Sequence, residues 1–173
     1  DLVDRLRGMF AFALWDSRRR LLLLARDRLG IKPLYYSVTP EGLCFGSEIK
    51  AMLLTGQIEP RLAPQAVGDL FRFGFIREPG TFFAGVRRLL PGHCLTWREG
   101  AASIRRYWRV SFPARDQLDS SRSAEDWATE LRERLIESVR LHLRSDVPVA
   151  AWLSAGIDSG IVSAMAAEAL DEP

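Results

Sequence analysis

Towards its carboxyl-terminal end the chain runs from an apolar stretch, Val147 to Leu153, straight into Ser154-Ala155-Gly156-Ile157-Asp158-Ser159-Gly160 and then into a helical pattern. Strand, small-residue loop, helix is the order that builds an anion site. The loop's backbone N–H groups and the positive end of the next helix converge on one point, and Ser154 and Ser159 add hydroxyl donors. A triphosphate demands short N–H contacts, hence residues with little side chain where the backbone approaches, and Ser154, Ala155, Gly156 and Gly160 meet that demand. Asp158 has two readings from the residues alone: a Mg²⁺ ligand bridging phosphates, or an N-cap with no ligand role. The Walker A pattern G-x-x-x-x-G-K-[ST] does not occur. A parallel sheet that opens on such a loop cannot be completed in the few residues that follow, so the expectation is a piece of a longer enzyme.

Upstream, residues 9–47 read as sheet. Met9 to Trp15 alternates large and small apolar residues, Asp16-Ser17-Arg18-Arg19 supplies a turn, and Leu21 to Ala25 is apolar on both faces, which predicts a strand covered on both sides. Leu34 to Val38 and Leu43 to Ser47 flank the turn Thr39-Pro40-Glu41-Gly42, giving an expected four-strand antiparallel meander. A short helix is expected from Glu48 to Thr55 with its stop at Gly56. A second starts near Pro64, turns Val67, Leu70 and Phe71 to one face and ends at Gly74. Cys94 to Trp97 and Ser103 to Trp108 form a last hairpin around Arg98-Glu99-Gly100.

Between Phe112 and Ser123 the composition shifts to Ser, Asp, Arg and Gln without apolar periodicity, the signature of a linker. Ser123-Ala124-Glu125-Asp126 has the form of a capping box, and Trp127, Leu131, Leu135, Val139 and Leu143 follow at helical spacing. That helix should end near Ser145, because Pro148 disfavours helical geometry just before it. After the loop, Ile161, Val162, Met165 and Ala169 are expected to face inward.

With 47% hydrophobic and 27% charged residues among 173, the chain has the balance of a core-forming protein. Net charge is +2, and the densest basic cluster, Arg18-Arg19-Arg20, falls in a hairpin turn, so a solvated turn is preferred to a nucleic-acid site. Cys44 and Cys94 lie in separate apolar runs with no C-x-x-C spacing, which points to buried core thiols in a reducing compartment. No apolar run reaches the length of a membrane span, and the expected location is the cytoplasm.

The run Val149 to Ser159 resembles the S-G-G-x-D-S pyrophosphatase loop of the glutamine-hydrolysing asparagine synthetases, and Leu141 to Pro148 resembles the approach to it. Leu6 to Asp16, Ala25 to Tyr36 and Ser47 to Lys50 resemble the later half of that family's glutaminase domain, and Leu89-Leu90-Pro91-Gly92-His93 the segment near its end. The matches follow in order along nearly the whole chain, which is more specific than the loop alone. The implied fold class is an α+β N-terminal-nucleophile glutaminase-type piece, antiparallel sheets layered with helices, followed by the first helix–strand–helix of an α/β parallel-sheet ATP-pyrophosphatase domain. The implied boundaries are 1–111, a linker over 112–123, and 124–173. The resemblance implies glutamine, aspartate and ATP as substrates, Mg²⁺ as cofactor, no nucleic-acid or membrane partner, and an assembly that allows a homodimer. Carried over residue by residue, Ser154, Gly156 and Ser159 become phosphate contacts, Leu153 a backbone contact to the nucleotide, Asp158 a Mg²⁺ ligand, and Ala155 and Ile157 complete the loop.

Two positions depart from the family pattern. Ala155 stands where the first glycine of the pair is usual, a change that costs about 1 kcal/mol if the site needs positive φ and little otherwise. Gly160 stands where serine is common. The family's N-terminal cysteine nucleophile and its glutamine-binding residues are not among these residues, so no catalytic residue is expected within them. Arg26-Asp27 and Ser47-Glu48 are read as charge-paired strand ends and a helix start supporting the pocket, Lys32 as an exposed turn residue rather than a ligand contact, His93 and His142 as structural, and Trp152 as core. Two other functions stay open: the same chemistry on another acceptor, including lactam formation, and a non-catalytic scaffold.

Overall fold

The computed structural model describes residues 2–117, 119 and 121–171. In chain order it holds α1 (Leu2–Arg5), β1 (Ala11–Asp16), β2 (Leu21–Arg26), β3 (Tyr35–Thr39), β4 (Gly42–Gly46), α2 (Ile49–Leu53), α3 (Pro64–Phe73), β5 (Arg87–Arg88), β6 (His93–Arg98), β7 (Ala101–Arg106), α4 (Ala124–His142) and α5 (Ile157–Asp171). The elements group into two units, Asp1–Val110 and Ser111–Pro173.

The first unit carries two antiparallel sheets, ordered β1-β2-β6-β7 and β4-β3-β5. Strand β2 is covered on both faces, as its unbroken apolar run predicts. Leu22 and Leu24 join Leu34, Tyr36, Leu89 and Leu95 in a core shared by the two sheets, while Leu23 and Ala25 pack with Val3, Phe10, Phe12 and Cys94 on the other side. A third cluster, Cys44, Met52, Ile58 and Val86, seats α2 against the second sheet. Both cysteines are buried free thiols. The turns follow their chemistry: Asp16 Oδ1 accepts from the backbone N–H groups of Arg18 and Arg19, both at 3.0 Å, and Glu99-Gly100 takes φ of 51° and 81°, the paired positive values of a tight hairpin. Helix α3 stops at Gly74, which takes the left-handed C-cap as expected, whereas α2 ends at Leu53 with Leu54 as a right-handed C-cap, short of the expected stop at Gly56.

The expected four-strand meander does not form. Both hairpins exist, in registers such as Ala13↔Leu24 and Ser37↔Cys44, but they belong to different sheets, because β2 pairs along its second edge with β6 (Leu24↔Leu95). The chain between β2 and β3 is instead wound around one carboxylate. Asp27, only 1% exposed, accepts backbone N–H bonds from Leu29 (3.1 Å) and Ile31 (2.9 Å) on Oδ1, and from Lys32 (2.9 Å) and Phe10 (3.3 Å) on Oδ2. Arg26, 5% exposed, does the reverse: Nε donates to Lys32 O (2.8 Å), Nη1 to Leu89 O (2.7 Å) and Nη2 to Gly30 O. Asp27 is thus not the charge-paired strand end expected of it, since it satisfies backbone N–H groups, whereas Arg26 serves backbone carbonyls and also pairs with Glu78 at 3.2 Å. At Gly92, φ is +65° and a Cβ would sit 2.5 Å from Trp108 O, so the close approach of Trp108, whose N–H donates to Gly92 O (3.2 Å), requires glycine; Gly92 N–H in turn donates to Asp27 O (2.9 Å).

Helix α3 corrects a second expectation. Its buried residue is Ala66, and Val67, Leu70 and Phe71, the predicted inward face, are exposed.

In the second unit Ser123 caps α4 through a complete capping box: Asp126 N donates to Ser123 Oγ at 3.1 Å and Ser123 N to Asp126 Oδ2 at 2.9 Å. The Arg122 guanidinium covers the Trp127 ring at 3.9 Å and pairs with Glu130. Along the predicted apolar face Val139 is buried, but Trp127 and Leu131 are exposed, and on α5 Ile161 and Val162 are exposed as well. The apolar run over 147–153 forms no strand, and Trp152, expected in the core, is 99% exposed. A strand needs a hydrogen-bonded neighbour, and the second unit supplies none among its described residues.

Burial alone would raise the Asp27 carboxyl, but the N–H groups of Lys32, Ile31, Phe10 and Leu29 outweigh it and hold the group below its ordinary value. Its contribution to stability is therefore present above the unfolded carboxyl value of about pH 4 and lost as the pH falls through the lower folded-state value. Asp27→Ala should destabilise the first unit by about 3 kcal/mol or more at neutral pH, leaving buried donors unpaired, and should remove this acid-dependent component. Denaturant titrations at pH 7 and through the acid range measure both.

Candidate functional site

Loop 153–159 folds around its two serines. Ser154 Oγ and Ser159 Oγ lie 2.8 Å apart, Ser154 N donates to Ser159 Oγ at 3.3 Å, and Gly156 N donates to Ser154 Oγ at 3.3 Å. Ser159 Oγ is also 3.2 Å from Ser154 O and 3.1 Å from Gly156 O, so its single proton chooses among neighbours on the loop itself. Because Ser159 lies in the first turn of α5, which begins at Ile157, these contacts pull the loop over the start of the helix.

Asp158 also lies in that first turn, one residue inside the helix, so it is not the N-cap that was one of its two readings. It is exposed and has no hydrogen bond or ion pair among the described residues, which leaves a hard-oxygen donor free. No group of three or more metal-ligating side chains is assembled among the described residues. The alanine that departs from the family pattern costs nothing here. Among the described non-glycine residues only Arg20 and Glu99 have positive φ, so Ala155 is not in the left-handed region. Gly156 is more constrained, with Ser154 Oγ 3.3 Å from where a Cβ would stand. Leu153 and Ile157 are exposed at the two ends of the loop.

The other candidates sit in structural roles or on the surface. His93 Nδ1–H donates to Pro91 O and His142 Nδ1–H to Ser138 O, each at 2.7 Å. Glu48 pairs with Lys50 at 2.8 Å just before α2. Lys32 is exposed beside a cavity of about 500 Å³ that Met9, Phe10 and Ser47 also line. One cluster had no signal in the sequence: Glu78 Oε1 receives Nη1 of both Arg26 (3.2 Å) and Arg88 (3.1 Å), and Arg88 Nη2 reaches Tyr35 Oη at 3.4 Å. It depends on a two-residue pairing of β3 with β5, too short to read from periodicity.

Residues 1–108 match the family model described as a glutamine amidotransferase domain, and residues 130–173 match the asparagine synthase model. The chain belongs to the glutamine amidotransferase family. It is 40% identical over 168 residues to asparagine synthetase [glutamine-hydrolyzing] 3 of Bacillus subtilis, an alignment covering 96% of this chain and 26% of that protein. It is 42% identical over 167 residues to an amidase of Penicillium rubens, covering 96% and 24%. A putative asparagine synthetase of Methanocaldococcus jannaschii is 31% identical over 173 residues, covering 99% and 33%. The chain thus spans about a quarter to a third of the length of these curated relatives. The asparagine synthase match begins inside α4 and takes in the whole serine loop, whereas the glutamine amidotransferase match takes in both sheets.

Ser159→Ala should loosen the loop without unfolding the unit: hydrogen exchange at the amides of Ser154 and Gly156 should quicken, while stability changes by no more than about 0.5 kcal/mol, as for other exposed sites. Unchanged exchange at both amides would show that the serine pair does not organise the loop.

Proposed function

We propose that the complete protein is a glutamine-hydrolysing asparagine synthase. In this reading residues 1–111 are the later part of an N-terminal-nucleophile glutaminase domain, 112–123 a linker, and 124–173 the opening of an ATP-pyrophosphatase domain. The observation that carries it is the collinear pair of family matches, with the serine loop inside the second. Glutamine hydrolysis supplies ammonia. An oxygen of the aspartate side-chain carboxylate attacks the α-phosphorus of ATP and expels pyrophosphate; ammonia then attacks the acyl carbon and AMP departs with the former carboxylate oxygen. The order is chemically necessary because a carboxylate is a poor acyl donor until AMP becomes its leaving group.

Within this reading Ser154, Gly156 and Ser159 bind phosphate oxygens, exchanging their present contacts with each other for contacts to the ligand, and the start of α5 contributes its N–H groups. Leu153 meets the nucleotide through its backbone, and Ala155 and Ile157 hold the loop's path. Asp158, free of ion pairs, fits a Mg²⁺ ligand, and the ion when bound supplies positive charge against the phosphates. Two buried free thiols, and the absence among the described residues of any helix long and apolar enough to cross a membrane, support a cytoplasmic location. Homodimer assembly is part of the same proposal. The amidase among the relatives gives the second reading its support, the same activation applied to a different acceptor.

The complete protein should convert ATP to AMP and pyrophosphate only when glutamine and the acceptor are both present, and product analysis showing ADP and phosphate alone would sink the reading. Asp158→Ala in that protein should lower amide synthesis by about a hundredfold or more, the scale of losing an electrostatic contact to a developing charge, while sparing glutamine hydrolysis. Equal loss of both activities would make the aspartate a folding residue. Replacing aspartate by other carboxylic acids in the pyrophosphate assay separates the two acceptor readings.

A further inference from the structure

The first unit contains a cavity lined by β3, β5, α3 and the segment between α3 and β5. Tyr35 on β3 and Arg88 on β5 are direct partners in an antiparallel pair, so their side chains leave the same face. The guanidinium lies over the Tyr35 ring, Cζ 5.4 Å from its centroid. Leu70 of α3 stands across from them, and Phe75 and Phe82, from the segment between α3 and β5, add two rings to a space of about 690 Å³. That volume is in the range of small-molecule sites, and the composition is the usual one: apolar walls with a few polar groups gathered at one place.

The charges around it do not balance. Arg77 is matched by Asp69 at 2.8 Å, but Glu78 alone serves both Arg26 and Arg88, through the same oxygen. Three guanidiniums therefore face two carboxylates. Arg26 is turned inward onto backbone carbonyls, so the unmatched charge is presented at Arg88, whose side chain remains 32% exposed. Its Nη1 and Nη2 each carry a second proton beyond those given to Glu78 and Tyr35, and the Tyr35 hydroxyl can donate beside them. Meanwhile Phe75 and Phe82 leave much of their rings uncovered, at 61% and 40% exposed. An anionic group at the arginine and a flat apolar body between the rings would meet both unmet demands at once.

We propose that this cavity binds a small monocarboxylate with an aromatic or similarly flat apolar body, its carboxylate on Arg88 and Tyr35 Oη and its body against Leu70, Phe75 and Phe82. The probe is 3-phenylpropionate, titrated calorimetrically into the complete protein beside its neutral amide. The acid should bind saturably, the amide about tenfold or more weaker, and added salt should weaken the acid more than the amide. Phe82→Ala, which leaves the Arg88–Glu78–Tyr35 cluster in place, should weaken both, and saturating glutamine or ATP should displace neither. Equal affinity for acid and amide, no saturable binding, or indifference to Phe82→Ala would overturn the proposal, and so would displacement by glutamine or ATP, which would make this part of a substrate site. The acid–amide comparison is made on the unaltered protein, so it does not depend on a variant folding, and its outcome is independent of the proposed ligase activity.

Discussion

A buried carboxylate must be supplied with donors or give up its charge, and the first unit is arranged around the way Asp27 meets that demand. It draws N–H groups from Phe10 just before β1 and from Leu29, Ile31 and Lys32 in the connection to β3. Arg26 beside it collects carbonyls from Gly30, Lys32 and Leu89. Two adjacent residues of opposite charge thus satisfy donors and acceptors of a segment that pairs with no strand. That is what allows the chain to leave one sheet and enter the other, and it is why two hairpins that look like one meander are separated.

The same arginine reaches further. Through Glu78 it is tied to Arg88, and Arg88 to Tyr35, so shared charge ties the loop after α3 to the end of β2. The thin packing of α3 fits this: with Ala66 its one buried residue, the segment is held at its far end by polar groups. Apolar side chains at Leu70, Phe75 and Phe82 are left facing a cavity instead of a core.

In the second unit the balance is different. A capping box and a guanidinium over Trp127 hold α4 at its start, but many of the apolar positions of α4 and α5 are open, and the run before the loop has no strand beside it. The loop keeps its shape by local contacts between Ser154, Gly156 and Ser159. Ala155 illustrates how a motif departure should be weighed: the substitution matters only where φ is positive, and here it is not. The family match and the loop's contacts together support the phosphate-binding reading under the proposed function.

Much that is local was legible in the sequence, because it depends on short-range chemistry: the turn at Asp16, the hairpin at Glu99-Gly100, the helix stop at Gly74, the Ser123 capping box and the burial of both faces of β2. The order of the motifs was legible too, and it led to the family that the comparisons show. What could not be read was which strands pair. Alternation tells a strand which faces are apolar but not which partner takes its edge, so β2 with β6 and the brief β3–β5 contact had no signature. Burial of Leu70, Ile161 or Trp152 was likewise undetermined, since an apolar stripe is buried only where another surface meets it. The sequence by itself determined the local elements, the serine loop and the family. The tertiary structure decided the division of the hairpins between two sheets, the role of Asp27 and the Arg26–Glu78–Arg88 cluster, because these rest on contacts between residues far apart in the chain, such as Leu22 with Trp97 and Arg26 with Leu89, which no local pattern encodes.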